Sequence, residues 1–136
     1  MKLSMTYSVK IKRLNHIFAD TVRLYRQAVS FFMDVCLQEW DTVSSGKCQK
    51  ERVNLMESFT VVSKKNPSVP YDFGADFYKF PCYLRRAAIA EAIGKVSSYR
   101  SNLARWEAVD PASRGEKPGL PQAGTVYPAM YRENMF

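Results

Sequence analysis

The sequence predicts a mainly α-helical domain, a bundle of about three helices with a small β element formed by an N-terminal strand and a C-terminal segment. Three long segments repeat apolar residues at helical spacing, whereas the first residues alternate apolar and polar side chains. Turn-forming and Pro-rich stretches separate these segments. With 136 residues, 46% of them hydrophobic, the chain is long enough for one domain with its own core.

The N-terminal segment, residues 1–13, contains "TYSVKIKR". Apolar side chains alternate there with Ser8, Lys10 and Lys12, a pattern typical of a half-buried strand with a basic outer face. An isolated strand is not stable in water, so this one requires partners in a sheet.

Residues 14–107 form the predicted helical region. The first helix begins after Asn15, a good N-cap, and continues to Trp40. It is apolar around so much of its circumference that it must be covered on two sides. Its two apolar stripes are Phe18, Val22, Tyr25, Val29, Phe32, Cys36 and Trp40, and Ile17, Leu24, Ala28, Phe31 and Val35.

A second, weaker helix is predicted in "QKERVNLMESFTVVSKKN", ending at Lys64 and Lys65, since basic residues suit a helix C-terminus. The following "NPSVPYDFGADFYKFP" is predicted to be irregular. Its aromatic residues have two interpretations, covering the core or stacking on bases.

The third helix begins near Pro81 and ends near Glu107. At 100° per residue its large apolar side chains gather on one side. The opposite side is a small-residue strip, which consists of Ala87, Ala90, Gly94, Ser97, Ser98 and Ser101. Two partners fit such a strip: a second helix packed closely against it, or a sugar-phosphate backbone held by the serines and nearby arginines.

Residues 108–136 begin with a Pro- and Gly-rich linker or surface loop. The strand-like residues Thr125, Val126 and Tyr127 follow, and they are the C-terminal part of the predicted β element.

The formal net charge is +7, and residues 1–13 hold four basic residues and no acidic one. Such a basic excess fits binding to nucleic acid or another polyanion. The one histidine and three widely spaced cysteines do not match a zinc site, and no phosphate-binding loop or nucleophile motif is found. We therefore predict no metal, no cofactor and no enzymatic activity for this chain alone.

No run of 18 apolar residues occurs, and the start is too polar for a signal peptide. An intracellular protein that does not bind membranes is the expectation. The bacterial cytoplasm, with association to the nucleoid when DNA is bound, is the predicted location.

The phrases "FPCYLRRAAIAEAIGKVSSYRSNLARWE", "KPGLP" and "YPAMYRENMF" resemble the N-terminal region of TnpB-type (OrfB) proteins of bacterial insertion sequences. The resemblance covers essentially the whole chain, including "YSVKIKR". TnpB-type proteins are similar to type V CRISPR effectors, which are RNA-guided DNA endonucleases. The resemblance implies a wedge-like strand in residues 1–13, a helical recognition lobe in 14–107 and a returning wedge-like segment in 108–136.

The resemblance also implies guide RNA and target DNA as partners. On that basis the residues expected to face the target-adjacent DNA motif are Tyr83, Arg85 and Arg86. Those expected along the heteroduplex or RNA backbone are Ser97, Arg100, Ser101 and Arg105. Those expected on RNA are Lys10, Lys12 and Arg13, with Tyr127, Tyr131 and Arg132 as further candidates in the returning segment.

The chain departs from the TnpB pattern because it stops at Phe136, before a nuclease lobe or a cysteine quartet. A truncated derivative, one part of a split system whose nuclease lobe is a separate polypeptide, and a nuclease-free relative kept for binding all fit this departure. Two other functions stay open: a stand-alone helical DNA-binding regulator, which would bind duplex DNA without RNA, and a helical protein-interaction module, which would self-associate independently of nucleic acid.

Overall fold

The computed structural model describes Ser4, Thr6 and residues 16–128. Within this part of the chain the regular elements are five α-helices and one short 3₁₀ helix, and no strand is present. The mainly α-helical prediction is confirmed. The bounds are α1 His16–Gln38, α2 Trp40–Val43, α3 Gln49–Thr60, α4 Phe73–Asp76, α5 Cys82–Ala108 and the 3₁₀ helix Pro111–Ser113.

The packing of α1 against α5 forms most of the core. Both apolar stripes of α1 are buried in its second half, where Val29 and Phe32 belong to one stripe and Val35 to the other. A helix apolar over so wide an arc needs cover from more than one element, and α3 and α5 both contact α1. Burial of α1 starts at Tyr25, so the stripes predicted the helix correctly but overstated how much of it is covered.

The second predicted helix, α3, ends at Thr60 rather than at the two lysines. Val61 is already extended, and Ser63 and Asn66 exchange two backbone hydrogen bonds of 3.0 and 3.1 Å in a turn. The side-chain amide of Asn66 also donates a hydrogen bond to the Ser58 carbonyl at 2.7 Å. The prediction of a longer helix was wrong because this turn takes up the backbone groups that a further helical turn would use.

The aromatic block before α5 covers the core. The Phe73 ring stacks on the Phe32 and Phe77 rings, with centroids 4.7 and 4.6 Å apart, and Phe80 meets the Phe73 ring edge-on at 5.3 Å. The core interpretation is therefore confirmed for these phenylalanines. Tyr78 differs from them, since its side chain is 82% exposed.

Residues 114–127, here called the strap, leave the end of α5 and reach α1. The Arg114 guanidinium lies 4.5 Å from the centre of the Trp106 ring, and at the other end Arg26 Nε donates to the Val126 carbonyl at 2.9 Å. The strand predicted at Thr125–Tyr127 is not found, because the Val126 carbonyl bonds to a side chain instead of to a neighbouring strand. The predicted N-terminal strand and Asn15 lie outside the described residues.

Candidate nucleic-acid interface

The small-residue strip of α5 is open at its centre. No described residue lies within 4 Å of the position that a Cβ atom of Gly94 would occupy. Ser98 and Ser101 are exposed, whereas Ala87, Ala90 and Ser97 are half-buried. A second helix of this chain packed on the strip was one of the two interpretations, and among the described residues none covers Gly94.

The strip faces outward because the opposite side of α5 is the core face. Ile89, Ala92 and Val96 are fully buried against the rest of the bundle. Residues that follow a buried position by two or five lie on the far side of a helix with 3.6 residues per turn. Burial of the large residues therefore fixes the orientation of Gly94, Ser98 and Ser101 toward the outside.

Arg100 and Arg105, two of the predicted site residues, are exposed on α5. Neither forms an ion pair with any carboxylate in the described part of the chain. Their guanidinium groups are thus available for a phosphate, which arginine binds through paired N–H donors.

The predicted DNA-facing residues at the start of α5 are less free. Arg86 Nη1 lies 3.4 Å from Glu57 Oε1 of α3, so much of its charge is already compensated. Arg85 is half-buried, with Nη2 at 3.4 Å from the Cys82 sulfur, and its buried Nε has no hydrogen-bond partner in the described structure. Tyr83 is half-buried and packs against the core.

A polar cleft of about 570 Å³ runs beside the strip, between α5 and the strap. It brings Lys95 and Asn102, which sequence reasoning did not select, next to Gly94 and Ser98. Each of the two directly follows a residue of the small-residue strip, Gly94 or Ser101, and this position in the sequence could have identified them as candidates. The cleft is lined by Ala90, Glu91, Gly94, Lys95, Ser98, Tyr99, Asn102, Gly119 and Pro121.

The remaining predicted residues are not on this surface. Tyr127 is exposed, and the guanidinium carbon of Arg26 lies 4.9 Å from the centre of its ring. Tyr127 therefore packs against α1 and not along the small-residue strip. Lys10, Lys12, Arg13, Tyr131 and Arg132 lie outside the described residues.

In residues 16–128 no three His, Cys, Asp or Glu side chains come together in a way that would hold a metal ion. Of the cysteines, Cys36 is buried, while Cys48 and Cys82 are exposed free thiols. None of the described helices combines the length and the apolar character that a membrane span requires.

Comparison with known proteins places the chain in a family. The model of the Aq_aa04 family matches residues 5–136. The chain belongs to the Aq_aa04 family. A relative from Aquifex aeolicus (strain VF5), named "Uncharacterized protein aq_aa04", is 30% identical over 125 residues, which cover 81% of this chain and 68% of the relative. No solved structure matches the chain.

The Aq_aa04 family assignment concerns ancestry and carries no statement of activity or ligand. The resemblance to TnpB-type proteins is neither supported nor opposed by these matches, and it stays a prediction. The functional conclusion therefore rests on the geometry and charge of the α5 surface.

Proposed function

We propose that this Aq_aa04-family chain binds nucleic acid, with the sugar-phosphate backbone lying on the small-residue strip of α5. The observation that carries the proposal is the open space over Gly94, on the face of α5 that also carries the unpaired Arg105 about three helical turns further on. Arg100 is unpaired as well, and it lies toward the core edge of α5, where its charge acts on Cys36. A backbone approaches closely where side chains are small, and charged side chains at the edges then bind its phosphates.

The distribution of charge along α5 supports the same surface. The helix carries five basic and two acidic residues. Glu57 compensates Arg86 near the first turns, and three of the other four basic residues lie in the second half. Lys95, Arg100 and Arg105 are the basic residues of that half, where the strip is most exposed. A polyanion is the partner that this charge favours.

A finer proposal follows from the resemblance to TnpB-type proteins: the nucleic acids are a guide RNA and its DNA target, bound in the bacterial cytoplasm and not cleaved by this chain. Purification from the host, followed by sequencing of RNA that co-purifies, tests it directly. A defined RNA species supports the guide-RNA form. RNA-independent, salt-sensitive binding to duplex DNA supports a regulator instead.

The binding surface is tested by replacing both free arginines, in Arg100→Ala/Arg105→Ala. We expect affinity for a labelled 20-nucleotide probe at low salt to fall about tenfold, because two phosphate contacts are lost. The control is Lys64→Ala/Lys65→Ala, which removes the same charge from two exposed lysines in the turn after α3. Fluorescence anisotropy measures both variants, and equal losses in the two would reject the α5 surface.

An open strip also accepts a helix of another protein, which is the protein-interaction alternative. Size-exclusion chromatography before and after nuclease treatment separates the two functions. An assembly that persists after nuclease treatment, with no affinity for nucleic acid, would favour the protein partner.

A further inference from the structure

A second open groove, of about 1330 Å³, lies over α1 and beside the strap. Two exposed aromatic residues stand in its lining: Phe18 is 59% exposed and Tyr127 is 70% exposed. Arg23 and Arg26 line the groove as well. Most of the exposed lining surface is apolar.

The Tyr127 ring is held in a fixed position. Arg26 Nε donates to the Val126 carbonyl at 2.9 Å, and the guanidinium carbon of Arg26 lies 4.9 Å from the centre of the Tyr127 ring. One face of the ring is therefore supported by a cation, while most of the ring remains exposed. A supported, solvent-facing aromatic ring is a suitable platform for stacking a nucleobase.

We propose that this groove binds the bases of single-stranded nucleic acid through Phe18 and Tyr127. The proposal rests on the proposed function and extends it to a second surface. Pro121 of the strap lines both this groove and the polar cleft beside the strip. A strand bound along α5 therefore continues past Pro121 into the groove, where its bases stack on the two rings. Bases paired inside a duplex do not reach such rings, so single strands are preferred.

The charges in the groove determine which end the strand occupies. Arg23 and Arg26 attract phosphates, although Asp20 lies 3.7 Å from Arg23 and offsets part of its charge. Asp34 and Asp76 line the groove as well. Asp34 follows Arg26 by two helical turns, about 12 Å along α1, and its carboxylate repels phosphate. The strand accordingly occupies the arginine end.

The test replaces both rings in Phe18→Ala/Tyr127→Ala. Fluorescence anisotropy is measured with three labelled probes: a 12-nucleotide dT strand, a 12-nucleotide rU strand and a 12-base-pair duplex. We expect affinity for single strands to fall about tenfold while duplex binding is unchanged. The two single-stranded probes decide between DNA and RNA. The matched control is Tyr78→Ala, which removes an exposed aromatic ring that also lies near a cation, Lys79 at 5.4 Å, and should change affinity less than twofold.

Two further variants test whether the aromatic ring of Tyr127 itself is required for binding. Tyr127→Phe preserves the ring and should keep wild-type affinity, whereas Tyr127→Leu is apolar but cannot stack and should behave as Tyr127→Ala. Circular dichroism melting verifies that each variant is folded.

The outcomes separate this inference from the proposed function. If Arg100→Ala/Arg105→Ala weakens single-strand binding but Phe18→Ala/Tyr127→Ala does not, the groove is rejected and the α5 surface stands. Equal wild-type affinity for duplex and single strands also rejects the groove. If the wild-type protein binds none of the three probes, both proposals fail.

Discussion

Gly94 occupies the middle of a 27-residue helix without a side chain and without a neighbour over its outer face. Glycine lowers helix stability by about 1 kcal/mol relative to alanine. At this position the structure offers no steric reason for that cost, since a Cβ atom would meet no described residue. Under the proposed function, the missing side chain gives the sugar-phosphate backbone close access to the helix.

Gly94→Ala should increase the free energy of unfolding by about 0.5–1 kcal/mol, measured by urea denaturation. Gly46→Ala is the matched comparison, because its Cβ would lie 2.7 Å from Arg52 Cγ and 3.1 Å from Arg52 N. That variant should be destabilised by the overlap. A loss of stability in Gly94→Ala would show that the space over the strip is filled in solution.

Single-residue reasoning from the sequence identified the strip and placed it opposite the core face of α5, because helical periodicity is local. The same reasoning placed Arg86 on the binding surface without its partner. Glu57 is 29 positions away and belongs to another helix. Which arginine is paired depends on contacts between elements, and such contacts leave no local pattern.

At the scale of elements, the strap is held at its start by Arg114 and at its end by Arg26. Arg114 secures its start: Nε donates to the Val109 carbonyl at 2.9 Å, Nη2 donates to the Glu107 carbonyl at 2.7 Å, and the guanidinium stacks on Trp106. Trp106 in turn donates to the Gly115 carbonyl at 3.0 Å. One arginine therefore closes the end of α5 and directs the chain back toward α1.

Arg114→Ala should loosen the strap and lower stability by about 1–2 kcal/mol, as two hydrogen bonds and a cation–π contact are lost. Limited proteolysis with endoproteinase Glu-C, followed by mass spectrometry, should show faster cleavage after the exposed Glu116. Lys117→Ala removes a nearby exposed positive charge and should leave the cleavage rate unchanged. Unaltered cleavage in Arg114→Ala would mean that Ala123 and Val126 alone anchor the strap.

At the same scale, periodicity predicted the three long helices but not where α3 ends or how residues 125–127 are used. Helix ends and extended segments depend on which backbone groups find partners. The Ser63–Asn66 turn and the Arg26–Val126 hydrogen bond supply those partners. Neither contact follows from an apolar repeat.

For the whole molecule, the position of Cys36 links folding to pH. Its side chain is fully buried on α1, and burial raises the pKa of the thiol from 9.0 to about 12, although the charges of Arg52 and Arg100 act in the opposite direction. The folded state therefore keeps the proton at a pH where the unfolded chain has lost it. The stabilisation is complete below pH 9 and declines as the pH rises toward 12.

Comparison with Cys36→Ala isolates this effect from the other groups that titrate in alkali. Between pH 9 and 11, wild-type protein should lose about 1.4 kcal/mol per pH unit more than the variant in urea denaturation. In thiol labelling of the native wild-type protein, Cys48 and Cys82 should react quickly and Cys36 slowly, since only the last is buried. Parallel pH profiles for the two proteins would contradict the buried, protonated thiol.

The sequence by itself determined the helical class, the core faces of the long helices, the bare outer face of α5 and the basic excess. These properties follow from the order of side chains along a regular backbone, so composition and periodicity are sufficient to find them. Only the tertiary structure decided that the strip is left open, that Glu57 forms an ion pair with Arg86, and that the strap brings Tyr127 to α1. The physical reason is that each of these features joins residues far apart in the chain, and their contacts exist only after the helices have packed.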